Sequence, residues 1–167
     1  MEHNDFLAFG GQNLFRLRSD FVKCTKTLIA SLADGVFINP EDGYNSDDLD
    51  GLMSLPKGKA STTVGTLNDT KAVENLFWLQ HLSIEAAKDL NPSPNKLTQL
   101  KSLRVTLGKG LQLPSVDMLE LETLWVWSFT DSNLECLKNF PNLKDLTIIQ
   151  APKLSNITQI KNCPKLS

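Results

Sequence analysis

The segments Leu79/Leu82/Ile84, Leu100/Leu103/Val105, Leu121/Leu124/Val126 and Leu143/Leu146/Ile148 repeat one pattern, Leu-x-x-Leu-x-[Leu/Ile/Val], at steps of 21, 21 and 22 residues. No other feature restricts the fold as much. A unit of about 20 residues cannot bury both of its faces, so it is stable only against copies of itself, in rows of about three or more. The expected product is one short strand per coil, with the coils stacked in a line and their strands joined in a parallel sheet. Such stacks present a curved binding surface more often than a catalytic pocket.

The repeat describes a whole coil. Along each strand the side chains alternate, so Leu82 and Ile84 turn into the core while His81, Ser83 and Glu85 turn out. Three residues beyond each strand stand Ala87, Gly108, Phe129 and Ala151, mostly small and suited to a tight corner, and three further on Leu90, Leu111, Ser132 and Leu154. In the return stretch Asp131-Ser132-Asn133-Leu134-Glu135-Cys136-Leu137, cap-forming residues precede two leucines three apart, which suits one helical or 3₁₀ turn on the outer side. Upstream the pattern weakens. Val36-Phe37-Ile38 reads as a first strand followed by Leu49, Leu52 and Leu55-Pro56, and Thr62-Thr63-Val64 as an intervening one. This gives about five coils, two of them irregular, over residues 32–167.

Residues 1–31 are expected to form an N-terminal cap. Leu14, Leu17, Phe21, Thr25, Leu28 and Leu32 recur at three- and four-residue steps, which predicts a helix from about Gln12 to Ser31 covering the first coil. A hairpin is the alternative, with Phe6-Leu7-Ala8-Phe9 and Leu14-Phe15-Arg16-Leu17 flanking Gly10-Gly11. At the other end Cys163-Pro164-Lys165-Leu166 aligns with Phe140-Pro141-Asn142-Leu143, and the sequence stops where a further strand would start. No C-terminal cap is visible, which leaves two expectations of equal weight: a piece of a longer repeat protein, or a homodimer through the uncapped end.

Composition narrows the function classes. The 167 residues carry a formal net charge of -2, so there is no broad basic field to drive counterion release, and nucleic acid is disfavoured as a partner. The N-terminus MEHNDFLAFGG lacks the basic start and apolar stretch of a secretory peptide, and no run approaches 18 apolar residues, so a cytoplasmic protein away from the membrane is expected. Without a secretion signal the glycosylation patterns at Asn68-Asp69-Thr70 and Asn156-Ile157-Thr158 carry little weight. Cys24, Cys136 and Cys163 are odd in number and widely spaced, which suits reduced thiols; Cys136 and Cys163 fall at repeat positions where an apolar residue packs.

Catalytic constellations are thin. His3 and His81 are the two histidines, and neither a nucleophile elbow nor a His-Glu-x-x-His metal motif occurs. The acidic segment from Glu41 to Asp50 misses the calcium-loop pattern, since Lys57 stands where a bidentate glutamate is required, and Gly108-Lys109-Gly110 lacks the spacing of a phosphate loop. The expectation is a protein that is not an enzyme, with no catalytic residues, no metal and no cofactor.

These repeats resemble the leucine-rich repeat superfamily over roughly residues 32 to 166, the four regular strand motifs being the specific part. The resemblance implies an α/β leucine-rich repeat solenoid with a parallel sheet on the concave face and an N-terminal helical cap. The chain departs from the family pattern after the strand, where Ala87, Gly108, Phe129 and Ala151 replace the usual asparagine or cysteine. The short cap, the opening strand Asp34-Gly35-Val36-Phe37-Ile38 and the few irregular repeats look like small bacterial leucine-rich repeat proteins, some of which are immunity proteins against toxins or secreted effectors.

The outward strand residues define the candidate site: His81, Ser83 and Glu85; Ser102, Arg104 and Thr106; Thr123, Trp125 and Trp127; Asp145, Thr147 and Ile149. Tryptophan and arginine are the types most enriched at binding hot spots. The expected function is protein–protein interaction, with an unidentified protein partner centred on Trp125 and Trp127 and Arg104 beside them. A toxin-neutralising immunity-type role is its most concrete form; a structural or regulatory fragment of a larger protein, or a secreted effector, is the alternative. The two tryptophans could instead pack on each other or on the stem of Arg104, and His81 could be a plain surface histidine. Phe77 and Trp78 read as packing residues of the outer side.

Overall fold

A computed structural model of the chain describes residues 6–9, 11–19, 21–44, 49–54, 61–64, 71–85, 94–107 and 112–167. Among the described residues eight strands form one sheet in the order of the sequence: β1 (Phe6–Phe9), β2 (Gln12–Leu17), β3 (Gly35–Ile38), β4 (Ser61–Val64), β5 (His81–Glu85), β6 (Ser102–Thr106), β7 (Thr123–Trp127) and β8 (Asp145–Ile149). The pairing of β1 with β2 is antiparallel, and every pairing from β2 to β8 is parallel. Among the described residues, one parallel strand per coil from β3 onward makes six coils where the sequence suggested about five; the intervening strand expected near Thr62-Thr63-Val64 is present at 61–64, between β3 and β5.

The register explains why the repeat is so regular. Leu82, Leu103, Leu124 and Leu146 face one another across the sheet, as do Ile84, Val105, Val126 and Ile148. Each coil therefore stacks like on like. Leu79, Leu100, Leu121 and Leu143 have no exposed surface and close the coil ahead of its strand. Just before each strand the backbone also bonds to the preceding coil: Lys101 N–H donates to Gln80 O, Glu122 to Lys101 O and Lys144 to Glu122 O, at 2.7, 2.8 and 2.8 Å. These rungs join coil to coil where the side chains have not yet alternated into the core.

Among the described residues 3₁₀ turns lie in the return segments before β4, β5, β6 and β8 and after β8, where the leucine spacing suited one helical or 3₁₀ turn, while residues 112–122 between β6 and β7 form none. Glu135–Asn139 buries Leu137 while Asn133 Oδ1 accepts from the Glu135 N–H at 3.0 Å, and Thr158–Asn162 repeats the device with Asn156 Oδ1 and the Thr158 N–H at 2.9 Å. The short side-chain acceptor satisfies a first-turn donor that the helix itself leaves orphaned. Buried Asn139 donates from Nδ2 to Pro114 O at 3.1 Å, and its backbone carbonyl accepts from the Met118 N–H, which ties this return segment to the one before it. Phe129, the bulky member of the mostly small set after the strands, is buried with 1% of its surface exposed, and Phe140 ahead of β8 has none exposed.

At the N-terminus the expected helix from Gln12 to Ser31 is replaced by the hairpin and a shorter helix, α1 (Phe21–Ala30). Phe9 pairs with Gln12, and Gly11 takes a φ of 79°, the left-handed region that glycine enters without a Cβ penalty. The three- and four-residue spacing thus runs across a junction: Leu17 is buried from a strand and Phe21 and Leu28 from the helix. Leu32, the last member of the supposed stripe, is 94% exposed because the helix has already ended, with Ser31 Oγ donating to Leu28 O at 2.6 Å. The side chain of Thr25 lies outside the described residues, as do Leu55, Lys57, Ala87, Leu90, the segment 108–111, the stretch 45–48 of the acidic loop, His3 and the pattern at Asn68.

One continuous core runs from Phe15 to Cys163. No helix among the described residues is long and apolar enough to cross a membrane.

Candidate partner-binding surface

Burying one face of each strand commits the other face to a fixed grid. Register sets three columns across β5 to β8: His81, Ser102, Thr123 and Asp145; Ser83, Arg104, Trp125 and Thr147; Glu85, Thr106, Trp127 and Ile149. All twelve of the sequence-derived outward residues fall on this grid. Glu85, Trp127, Asp145 and Thr147 are exposed, and His81, Ser83, Arg104, Thr106, Trp125 and Ile149 half-buried. With neighbouring strands about 4.8 Å apart, Arg104, Trp125 and Thr147 lie within a side chain's reach of one another.

Trp125 and Trp127 sit two apart on β7, and their rings approach to 5.6 Å between centroids with a 50° tilt. The Arg104 guanidinium carbon lies 5.1 Å from the centroid of the Trp125 ring, a cation–π contact across the β6–β7 pair. Mutual packing of the tryptophans is thus present, and it leaves Trp127 37% exposed. The polar handle of Trp127 is also fixed: Nε1 donates to Gln150 Oε1 at 2.7 Å, and Ser128 Oγ bonds to the same oxygen at 3.3 Å. Ser128 and Gln150 each come directly after a strand and hold φ values of 59° and 55°. A left-handed conformation in a residue other than glycine is costly and marks a backbone held by its surroundings. Here it turns Gln150 back onto the indole.

No family model, curated protein or solved structure matches this chain.

Polar members of the grid are partly engaged. Thr123 Oγ1 donates to Asp145 Oδ2 at 3.5 Å. Burial, and then the positive charge of Lys101, push the pKa of His81 below its ordinary value, with Asp34 pulling weakly the other way, so the ring favours its neutral form on this surface. Beside the grid, Lys144 pairs with Glu122 at 2.8 Å; this hydrogen bond and its charge hold the Glu122 carboxyl below its usual range.

Sequence reasoning missed Gln150 and Ser128, whose residue types do not signal a left-handed turn. It also missed an N-terminal continuation of the middle column. Arg16 pairs in register with Phe37, its guanidinium lies 5.9 Å from that ring, and it reaches Asp42 at 3.4 Å. A helix through residue 16 would hide this alignment. Trp78 packs on the core as expected, in an edge-to-face contact with Phe77 at 5.0 Å, but Phe77 itself is 53% exposed.

Away from the sheet face, a cleft of about 470 Å³ opens between Leu107, Leu113, Thr130, Asp131, Glu135 and Cys136. Burial, with Asp131 adding, pushes the Cys136 thiol up to about 11, which keeps it protonated and unreactive at neutral pH. Among the described residues no group of three His, Cys, Asp or Glu side chains converges as a metal site.

Proposed function

We propose that this chain is a leucine-rich repeat solenoid that works as a protein-binding module, holding a protein partner on the open face of its sheet through Trp127 and Trp125, with Arg104 adjacent. The observation that carries the proposal is the state of Trp127: more than a third exposed, packed at a tilt against Trp125 and held by Gln150. An exposed aromatic that is already immobilised loses little conformational entropy on binding, and a partner that covers it gains the full value of its apolar surface. The surrounding threonines, serines and charges form the polar rim that such an anchor needs.

The test is affinity capture from source-cell lysate with the wild-type chain and with Trp127→Ala, then titration of the captured protein against both purified chains. Truncating a central anchor costs about 2 kcal/mol or more, a loss of about 30-fold in Kd. A partner that binds the two chains equally would remove the open face from consideration. Trp127→Phe keeps most of the ring but lacks the donor to Gln150, and is expected to fall between the two.

A further inference from the structure

Guanidinium and aromatic ring meet twice in the middle column of the sheet face. Near its N-terminal end Arg16 lies 5.9 Å from the Phe37 ring centroid and reaches Asp42 Oδ2 at 3.4 Å, so one guanidinium is held between a ring and a carboxylate. Arg104 takes the same place over Trp125 at 5.1 Å. A planar guanidinium suits this arrangement, because its face stacks on the ring while its edge donates to an acid.

The third column holds a ring and an acid without a base between them. Register sets Glu85, Thr106 and Trp127 side by side on β5, β6 and β7. Glu85 is exposed, Trp127 is 37% exposed, and the smaller, half-buried Thr106 stands between them. Strands about 4.8 Å apart put the two flanking residues about 10 Å apart. A cation seated over Thr106 then comes within ion-pair reach of the carboxylate and within about 6 Å of the indole. Gln150 and Trp125 already fix that ring, so binding need not order it.

The charges of the face point the same way. Lys101 and Lys144 stand ahead of β6 and β8, at the opposite ends of the strands, where Lys101 acts on His81 and Glu122 and Lys144 pairs with Glu122. At the third-column end, Leu107, Ser128 and Gln150 directly follow β6, β7 and β8 and are uncharged. Arg104, the one permanent cation of the grid, is half-buried over Trp125, whereas the acids Glu85 and Asp145 are both exposed. Glu85 also interacts within the chain, and a carboxylate with about four acceptor positions has capacity for a further donor.

We propose that the open face receives an arginine of the protein partner over Thr106, its guanidinium stacked on Trp127 and its edge bonded to Glu85; this rests on the reading of the face as a protein-binding surface. The partner supplies in trans the base that Arg16 supplies in cis between Phe37 and Asp42. An acidic side chain at this column fits worse, because Glu85 repels it.

The test titrates the whole chain, at constant ionic strength, with arginine capped as its N-acetyl amide and with citrulline capped in the same way, which keeps the shape of the side chain without its charge. The Trp127 indole N–H resonance is the readout. The arginine probe should bind about fivefold or more tightly than the citrulline probe. Glu85→Gln should remove that difference, and Thr106→Arg, which places a base in the site, should abolish the shift while the circular dichroism spectrum is kept. Equal binding of the two probes to the wild-type chain overturns the proposal, as does a preference for arginine that survives Glu85→Gln or a shift confined to the Trp125 indole. A captured partner that needs Trp127 but binds Glu85→Gln as tightly as wild type overturns this inference and leaves the broader reading standing. Failure to capture a partner, with the probes behaving as expected, counts against the broader reading alone.

Discussion

The first and last strands of the described sheet are covered to different degrees. At the N-terminal end the chain reverses direction, adds an antiparallel strand and lays α1 against the stack, and Leu17 and Leu28 have no exposed surface. At the C-terminal end the last coil keeps the repeat pattern, and Leu146, Ile148 and Leu166 remain partly exposed. In a stack held by neighbour contacts, a repeat residue is only as stabilising as the coil beyond it. Covering an end requires sequence that breaks the repeat.

The contrast is sharpest at the capped end, where the largest losses are expected. Leu28→Ala empties a fully buried position of α1 and should cost about 2–5 kcal/mol, the range for deleting a buried leucine. Gly51→Ala tests the same packing from the other side. A Cβ at residue 51 would collide with Cβ of Phe21, an atom fixed to the helix backbone that no rotamer can move aside. Overpacking there should cost about 1–3 kcal/mol. Urea unfolding measures both, and an unchanged midpoint for either would show that α1 is not a structural cap.

A matched pair separates neighbour cover from residue identity. Leu124 and Leu146 occupy the same column, one at 1% exposure and the other half-buried. Leu124→Ala should lose about 2–5 kcal/mol and Leu146→Ala about 1 kcal/mol, since a site open to solvent leaves less of a cavity. Equal losses in urea would erase the distinction between inner and terminal coils.

The regular coils are legible because parallel stacking places identical positions side by side, so the core columns Leu82/Leu103/Leu124 and Ile84/Val105/Val126 are written directly as a period. The outward grid comes from the same alternation, and with it every candidate site residue. Residues 12–17 mislead because Leu14, Leu17 and Phe21 have helical spacing across a strand, a loop and a helix start, and that spacing outweighs the turn signal of the pair Gly10-Gly11. Gln150 is invisible for another reason. Its role depends on a left-handed backbone at a residue type that rarely adopts one, so neither pattern nor propensity announces it.

That backbone conformation supplies a smaller test. Gln150→Ala loses the bond to Trp127 Nε1 and keeps the strained φ, whereas Gln150→Gly loses the same bond and relieves the strain. The alanine variant should be less stable than the glycine variant by about 1 kcal/mol. Both should shift the Trp127 indole N–H resonance. An indole signal unmoved by either change would mean that the ring is positioned by Trp125 alone.

The smallest effect is on ionisation, and it returns to the question of how firmly the inner coils are closed. Cys136 sits in the return segment Glu135–Asn139, where burial raises its thiol to about 11, and burial raises Cys163 of the last coil in the same direction. A thiol whose folded pKa lies above its unfolded value of about 8.5 contributes stability that is fully present below 8.5 and is lost as the pH rises through about 11. The urea midpoint should therefore not change on account of Cys136 between about pH 6 and 8. Alkylation reads the same shift kinetically: at pH 8 the thiolate population is lower by about 240-fold than in an unfolded chain, and the reaction with iodoacetamide should slow accordingly. Labelling of Cys163 ahead of Cys136, read by mass spectrometry, would locate the first opening in the terminal coil, as its uncovered face requires. Labelling of Cys136 first would instead show direct reaction from the cleft that this partly exposed thiol lines, with no opening of the terminal coil ahead of it.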